Sequence, residues 1–326
     1  MRHNRLQNKV ARSEATLPVC IATAAILWWL PRRDFYLPDV LGFGLCLLTA
    51  YVVMETNARQ HLIRIRTRLM TCVWLVLSAC FAFMHPLGRP MAVAALLATA
   101  YMLLFRCYQR KRPEAFAFHA FLMLGTGSFV APVMLPMAVL FFFYLGILLR
   151  SLTWRSFWAG VLGLVAPYWC FAVWCFLTGN TGRLMPWLHG DTDRGLFFGY
   201  RLSAPMWMQP GGGLSLAEQF SAGLVALLGL VGIVHFLRTN FDDKIRVRMM
   251  LYIYMVQALL LTVFLILQPG SYETTMAMLV VSVCPLIAHF FSLSGSLLTT
   301  VFFLLTLLLT AAMSVLNLWT TSFSIS

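Results

Sequence analysis

The sequence predicts an all-α fold, a polytopic transmembrane bundle of about eleven helices that forms a single integral membrane domain over residues 1–326. Three observations lead there. Hydrophobic residues make up 60% of the chain and charged residues 11%, too little polar surface to cover a water-soluble fold, whereas hydrocarbon requires no such cover. The apolar residues gather into segments close to the ~20 residues that a helix needs to cross a bilayer. Eighteen of the 24 lysines and arginines crowd into the N-terminal tail and alternate gaps between those segments.

A basic tail with Arg2, Arg5, Lys9 and Arg12 precedes the first apolar span, 17–31, which is short and calls for membrane thinning, flanking anchors or a partner helix. Span 39–55 follows a brief gap and ends at a second one carrying Arg59, Arg64, Arg66 and Arg68. Spans 69–85 and 90–106 come next, with Arg89 between them and Arg106, Arg110, Lys111 and Arg112 after them. The apolar run from Ala115 to Leu149 is long enough for two helices, and a hairpin near Pro132, with Pro136 just beyond, divides it into 115–131 and 133–149. Arg150 and Arg155 introduce 156–178, and the longest gap, 179–214, leads to 215–237. Arg238, Lys244, Arg246 and Arg248 then separate that span from 249–267, 274–291 and 296–318. None of these spans alternates with period two as barrel strands do, and a chain in lipid must satisfy its backbone hydrogen bonds internally, so helices are the consistent form.

Orientation follows from the basic residues. The tail and the alternate gaps just named hold 18 of the 24, and the opposite side holds Arg32, Arg33, Arg89, Arg183, Arg194 and Arg201. By the positive-inside rule the N-terminus is cytoplasmic and the C-terminus external. Acidic residues divide almost evenly between the sides, so the net charge of +13 belongs to the inner face. Reading 115–149 as one helix would swap every later loop and weaken this split, which favours the hairpin.

Several function classes find no support. The first span lacks a small-residue cleavage site, so the basic tail suits a retained anchor rather than a cleavable signal peptide. The eight cysteines lie in or beside apolar spans with no C-x-x-C pair, and read as small packing residues. There is no P-loop, no G-x-G-x-x-G after a strand and no convincing internal repeat. The basic loops are short and lack interleaved stacking aromatics, so nucleic acid is not an expected partner.

Candidate functional residues fall in four places. From Glu55 to Arg68 a helical reading puts Leu62, Ile65 and Leu69 on one face and His61, Arg64 and Arg68 on its neighbour, the pattern of a basic membrane-surface helix whose Arg59, Arg64, Arg66 and Arg68 grip anionic head groups or simply enforce topology. The external gap 179–214 combines Trp187, Phe197, Phe198, Tyr200 and Trp207 with the run from His189 to Arg194. Its H-x-D-x-D pattern, His189, Asp191 and Asp193, offers imidazole and carboxylate ligands for a divalent cation, or a carboxylate base; a solvated loop with interfacial aromatics accounts for the same residues. Asp34 and Asp39, in and beside the first external gap, are a second acidic candidate. Within the spans, His119, His289 and Gln257 are the expected buried polar groups, more in keeping with interhelical hydrogen bonds than with proton transfer, and no span carries a central carboxylate. Gly125, Gly127, Ser128, Ala159 and Gly163 read as close helix contacts.

The stretch Arg64-Ile65-Arg66-Thr67-Arg68, then Gly125-Thr126-Gly127-Ser128 leading to Pro132, then Gly160-Val161-Leu162-Gly163 leading to Pro167-Tyr168, resembles an uncharacterised family of polytopic inner-membrane proteins from Bacteroidetes over roughly the first half of the chain. That resemblance implies a multi-pass protein of a bacterial inner membrane and no particular activity. In helix number and outward-facing sites the chain is also similar, more loosely, to polytopic glycosyltransferases that take sugars from polyprenyl-phosphate carriers. This likeness implies that Asp34 or Asp39 is the catalytic base, that Arg183, Arg194 or Arg201 binds the carrier phosphate beside Trp187, and that Asp191 and Asp193 hold a cation. The glycosyltransferases have a long, structured first external loop, whereas this one spans little more than Pro31 to Pro38.

The preferred expectation is therefore an enzyme acting on a lipid-linked sugar at the outer face, with membrane lipid as a partner. The alternatives are a transporter or flippase whose path is lined by His119, Gln257 and His289, and a non-catalytic subunit that binds other membrane proteins. The orientation is open to direct test: a reporter fused after Ser326 is expected to read as external, and activity confined to the cytosol would reverse the arrangement.

Overall fold

The computed structural model describes residues 6–30, 36–179 and 213–324. Among these the secondary structure is all helical, with no strand, and comprises twelve α-helices. They are α1 (Leu6–Arg12), α2 (Thr16–Trp29), α3 (Leu37–Gln60), α4 (Leu69–Ala79), α5 (Arg89–Phe105), α6 (Glu114–Val130), α7 (Met134–Phe143), α8 (Trp154–Leu177), α9 (Leu216–Thr239), α10 (Ile245–Leu267), α11 (Tyr272–Leu293) and α12 (Leu297–Ser324). All but α1 fall on predicted spans; α1 is a short helix inside the basic tail. Six, namely α3 and α8 to α12, are long and apolar enough to cross a membrane, and α2 and α4 to α7 are apolar but shorter.

Local chemistry sets the helix ends. Thr153 and Ser156 form a reciprocal capping box at the start of α8, and Ser215 and Glu218 form one at the start of α9, so the first orphan N–H groups of both helices are paired. The apolar run from Ala115 to Leu149 does break near Pro132: Ala131 is extended (φ −144°, ψ 118°), and proline has no N–H with which to carry α6 onward. The chain reverses there, since Phe121 in the middle of α6 faces Phe142 of α7 with ring centroids 4.2 Å apart.

Span 69–85 is helical only as far as Ala79. Phe81 is extended and a single 3₁₀ turn, Ala82–Met84, follows. The carbonyls freed by that break are satisfied by side chains: His85 Nε2 donates to Ala79 O at 3.0 Å and Asn317 Nδ2 donates to Cys80 O at 3.2 Å. An interrupted helix at this depth is stable because its backbone groups find partners elsewhere in the protein.

The chain forms two compact units, residues 1–91 with 205–326, and residues 92–204. In the first, α11 is the interior helix, with 19 of its 22 residues buried. Its sequence is apolar on all sides, and such a helix has to be enclosed. Glycines let α9 lie close against it: a Cβ at Gly232 would stand 2.9 Å from the Leu286 carbonyl oxygen, and one at Gly229 would press on Val283. The helix α1 is tied down by Gln7 Nε2, which donates to Ser294 O at 2.7 Å and to Thr299 Oγ1 at 2.9 Å.

In the second unit α6 and α8 run parallel in intimate contact. A Cβ at Gly125 would come within 2.5 Å of the Leu164 carbonyl oxygen, one at Gly163 would overlap the Phe118 carbonyl, and Gly160 leaves room for the rings of Phe142 and Phe121. Further along, Ser128 hydrogen-bonds Tyr168 and the Phe129 ring stacks on Tyr168 at 4.7 Å. Gly125, Ser128 and Gly163, among the small residues expected to mediate helix contact, do so. Gly163→Val should destabilise the purified protein by about 1–3 kcal/mol through overpacking, whereas Gly44→Ala, where an added Cβ meets nothing within 4 Å, should be neutral or gain about 0.4–1 kcal/mol; thermal unfolding in detergent compares the two.

Candidate functional site

Ionisable side chains converge at one end of the first unit. Asp243, in the turn between α9 and α10, is fully enclosed, and its Oδ2 accepts from His289 Nε2 of α11 at 3.1 Å. Arg64, from the loop joining α3 to α4, brings Nε to 2.7 Å from Asp243 Oδ1 as an ion pair whose N–H is not aligned for a hydrogen bond, and its NH1 lies 3.4 Å from Asp242 Oδ2. Neither His289 nor Asp243 exposes any of its side chain, while Arg64 is 38% exposed, so the chain of contacts runs from the surface into the bundle. His235 of α9 stands beside it, its ring centroid 5.7 Å from that of His289. His289 Nδ1, His235 Nε2 and Ser292 Oγ are buried and have no hydrogen-bond partner among the described residues. Buried groups of this kind are costly to leave without partners.

Adjacent in the same unit is an apolar cavity of about 540 Å³, walled by α2, α4, α9, α11 and α12. Its lining runs from Lys9, Ser13 and Thr16 at one end to Leu228 and Thr310 at mid-length of their helices. The thiols of Cys20 and Cys72 meet in its wall. All eight cysteines are free, and six are buried. In the second unit burial pushes the Cys107 thiol, just past the end of α5, up to about 12, the Arg110 charge opposing that rise; it is thus protonated and inert at neutral pH.

At the opposite end of the first unit Asp39 occupies the first turn of α3, where an acidic side chain complements the exposed N–H groups of a helix start. It is 4% exposed. Trp28 of α2 donates Nε1–H to the Asp39 carbonyl at 3.1 Å, and its indole stacks on His85 at 4.3 Å. The His85 carbonyl in turn closes against Gly42, where any Cβ would collide with it, and Leu87 N donates to Pro38 O at 2.8 Å. Asp39, Trp28 and His85 thus form one buried assembly.

Of the other expected site residues, Asp34, Arg183, Trp187, His189, Asp191, Asp193, Arg194 and Arg201 lie outside the described residues. Among the described residues no group of three or more His, Cys, Asp or Glu side chains is placed to hold a metal ion. The basic segment differs from its reading as a surface helix. Helix α3 stops at Gln60, with His61 in the left-handed conformation (φ 52°), and residues 61–68 form a loop pinned by Asn57 Nδ2 to Thr67 O and by Thr67 Oγ1 to Ala11 O. Leu62 and Ile63 turn inward and are buried, which carries Arg64, itself still partly in solvent, to Asp243. Arg59 pairs with Glu55 one helical turn away, and Arg66 and Arg68 are exposed.

His289 and Gln257 are buried as expected. His119 is not: it is exposed on α6, its Nδ1 paired with Ala115 O at 2.6 Å, because the glycine-bearing face of α6 takes the contact with α8. Asp243 escaped sequence reasoning because it sits in a gap with Arg238, Lys244, Arg246 and Arg248 and counts there only as one loop charge. Its available signal was the pair of histidines, His235 and His289, each near the end of its apolar span on the side of the gap that holds Asp243.

The fold is thus a helical bundle compatible with an integral membrane protein. Comparison with protein-family models, curated proteins and solved structures finds no match to this chain.

Removing Asp243 leaves the buried His289 ring without the acceptor of its N–H. Asp243→Ala is expected to lower stability by about 1–3 kcal/mol, while Asp242→Ala at the exposed neighbour should cost less than about 1 kcal/mol. Equal melting temperatures for the two purified variants would show that the His289–Asp243 contact carries no such weight.

Proposed function

We propose that the chain is a multi-pass protein of a bacterial inner membrane that acts on a polyprenyl-phosphate-linked sugar at its external face, with Asp39 as general base toward an acceptor hydroxyl. The observation that carries this reading is the assembly around Trp28, where a carboxylate-bearing helix start and an imidazole meet one indole at the end of the bundle that the basic-residue count assigns to the outside. A carboxylate fixed in place at a packed helix start suits proton abstraction once substrate reaches it. The likeness to polytopic glycosyltransferases assigns the same role to an acidic residue in this position. On this reading Arg183, Arg194, Arg201 and Trp187 receive the carrier phosphate and its sugar, and His189, Asp191 and Asp193 hold a divalent cation.

Asp39→Asn keeps the shape of the side chain and removes its basicity, so it should leave helical content intact while reducing transfer by roughly 10²–10⁴-fold. Mass spectrometry of surface glycans, in cells dependent on the variant, reads the outcome. Asp34→Asn tests the neighbouring candidate in the same assay, and unchanged glycans in both variants would reject the enzyme reading.

A further inference from the structure

The apolar cavity of the first unit is independent of the Asp39 assembly, and its shape defines what it takes. Val19 and Leu307 stand exposed at its rim, so the cavity is a groove that opens sideways on the bundle surface. Along α4 its lining runs from Leu69 to Leu77, a rise of about 12 Å at 1.5 Å per residue. That length is close to half of the ~30 Å hydrocarbon thickness, the depth of one leaflet. Its volume of about 540 Å³ falls in the roughly 300–1,000 Å³ range of small-ligand sites.

The two ends of the groove differ in chemistry. The deep end, past Leu77 and Leu228, is apolar save for the Thr310 hydroxyl, which is turned to the Thr306 carbonyl. The mouth carries Lys9 and the hydroxyl-bearing Ser13 and Thr16, and Arg68, exposed, immediately precedes the lining residue Leu69 and is near enough for its charge to act on the Cys72 thiol in the wall. Around the mouth α1 contributes no acidic residue, and Glu14 is the single acid between residues 6 and 20. A cationic rim above an apolar slot one leaflet deep complements one kind of molecule, an amphiphile with a negative head and a hydrocarbon tail.

We propose that this groove is a binding site for an anionic phospholipid of the cytoplasmic leaflet, one acyl chain lying between α2, α4 and α12 and the phosphate resting against Lys9 and Arg68. The ligand is distinct from the outer-face substrate, because the groove's mouth is at the end that the basic residues assign to the cytoplasm.

Native mass spectrometry of the full chain, released from detergent after incubation with phosphatidylglycerol or with phosphatidylcholine of the same acyl chains, tests the proposal. The wild-type protein is expected to retain phosphatidylglycerol about tenfold more strongly. Lys9→Glu combined with Arg68→Glu, both at exposed positions, should abolish that preference, and Leu307→Trp or Val73→Trp, which fill the groove from opposite walls, should reduce retention of both lipids. Equal retention of the two lipids by the wild type overturns the charge assignment. Undiminished phosphatidylglycerol in tryptophan variants with unchanged helical content overturns the site itself. The readout is bound lipid and not transfer, so it stands or falls separately from the enzymatic reading.

Discussion

Enclosure of α11 is the constraint on which the first unit depends. A helix whose every face is apolar has no side to present to a polar surface or a loop, and neighbours have to close around it. The glycines of α9 allow one neighbour to approach to backbone contact, so that Gly232 lies on Leu286 and the two helices run side by side from Gly229 to His235. That close approach carries His235 to His289 in the last turns of α11. A buried imidazole then needs a partner, and the turn after α9 supplies Asp243. Because the carboxylate is itself buried, Arg64 is drawn in from the α3–α4 loop. The ion chain is in this sense a consequence of the packing of α9 on α11.

The same economy of backbone polarity governs the places where helices stop. Where α4 ends, Asn317 and His85 take up the carbonyls that the lost helical turn would have bonded. At the tail, Gln7 reaches the Ser294 carbonyl at the end of α11. Such bonds link segments far apart in sequence, and they are the reason that short apolar helices persist in a bundle without being long enough to span it alone. In the second unit the parallel pair α6 and α8 uses the other available device, glycines in register that permit dispersion contacts between backbones.

Much of this was legible beforehand, and the reasons are specific. The break at Pro132 was readable because a residue without N–H cannot continue a helix, and the glycines of α6 and α8 were readable because small residues in apolar spans serve helix contact. The loop from His61 to Arg68 was misread because a period of apolar and basic residues matches a surface helix, while its true course is imposed by Leu62 and Ile63 entering the core. His119 and His289 look alike in sequence, each one histidine in an apolar span, and only their neighbours separate an exposed ring from a buried one. The Asp39 assembly was half legible: the acid was singled out, but Trp28 and His85 reach it from elements 11 and 46 positions away.

Composition and spacing by themselves determined that the described residues are all helical, where eleven of their twelve helices lie and that the apolar character is compatible with a membrane, because these depend on the number and period of hydrophobic residues along one segment. Tertiary structure alone decided which helix is enclosed, which arginine pairs with a buried carboxylate and where an apolar groove opens beneath a lysine. Those outcomes depend on distances between segments remote in sequence, and no local pattern encodes which face of one helix meets which face of another.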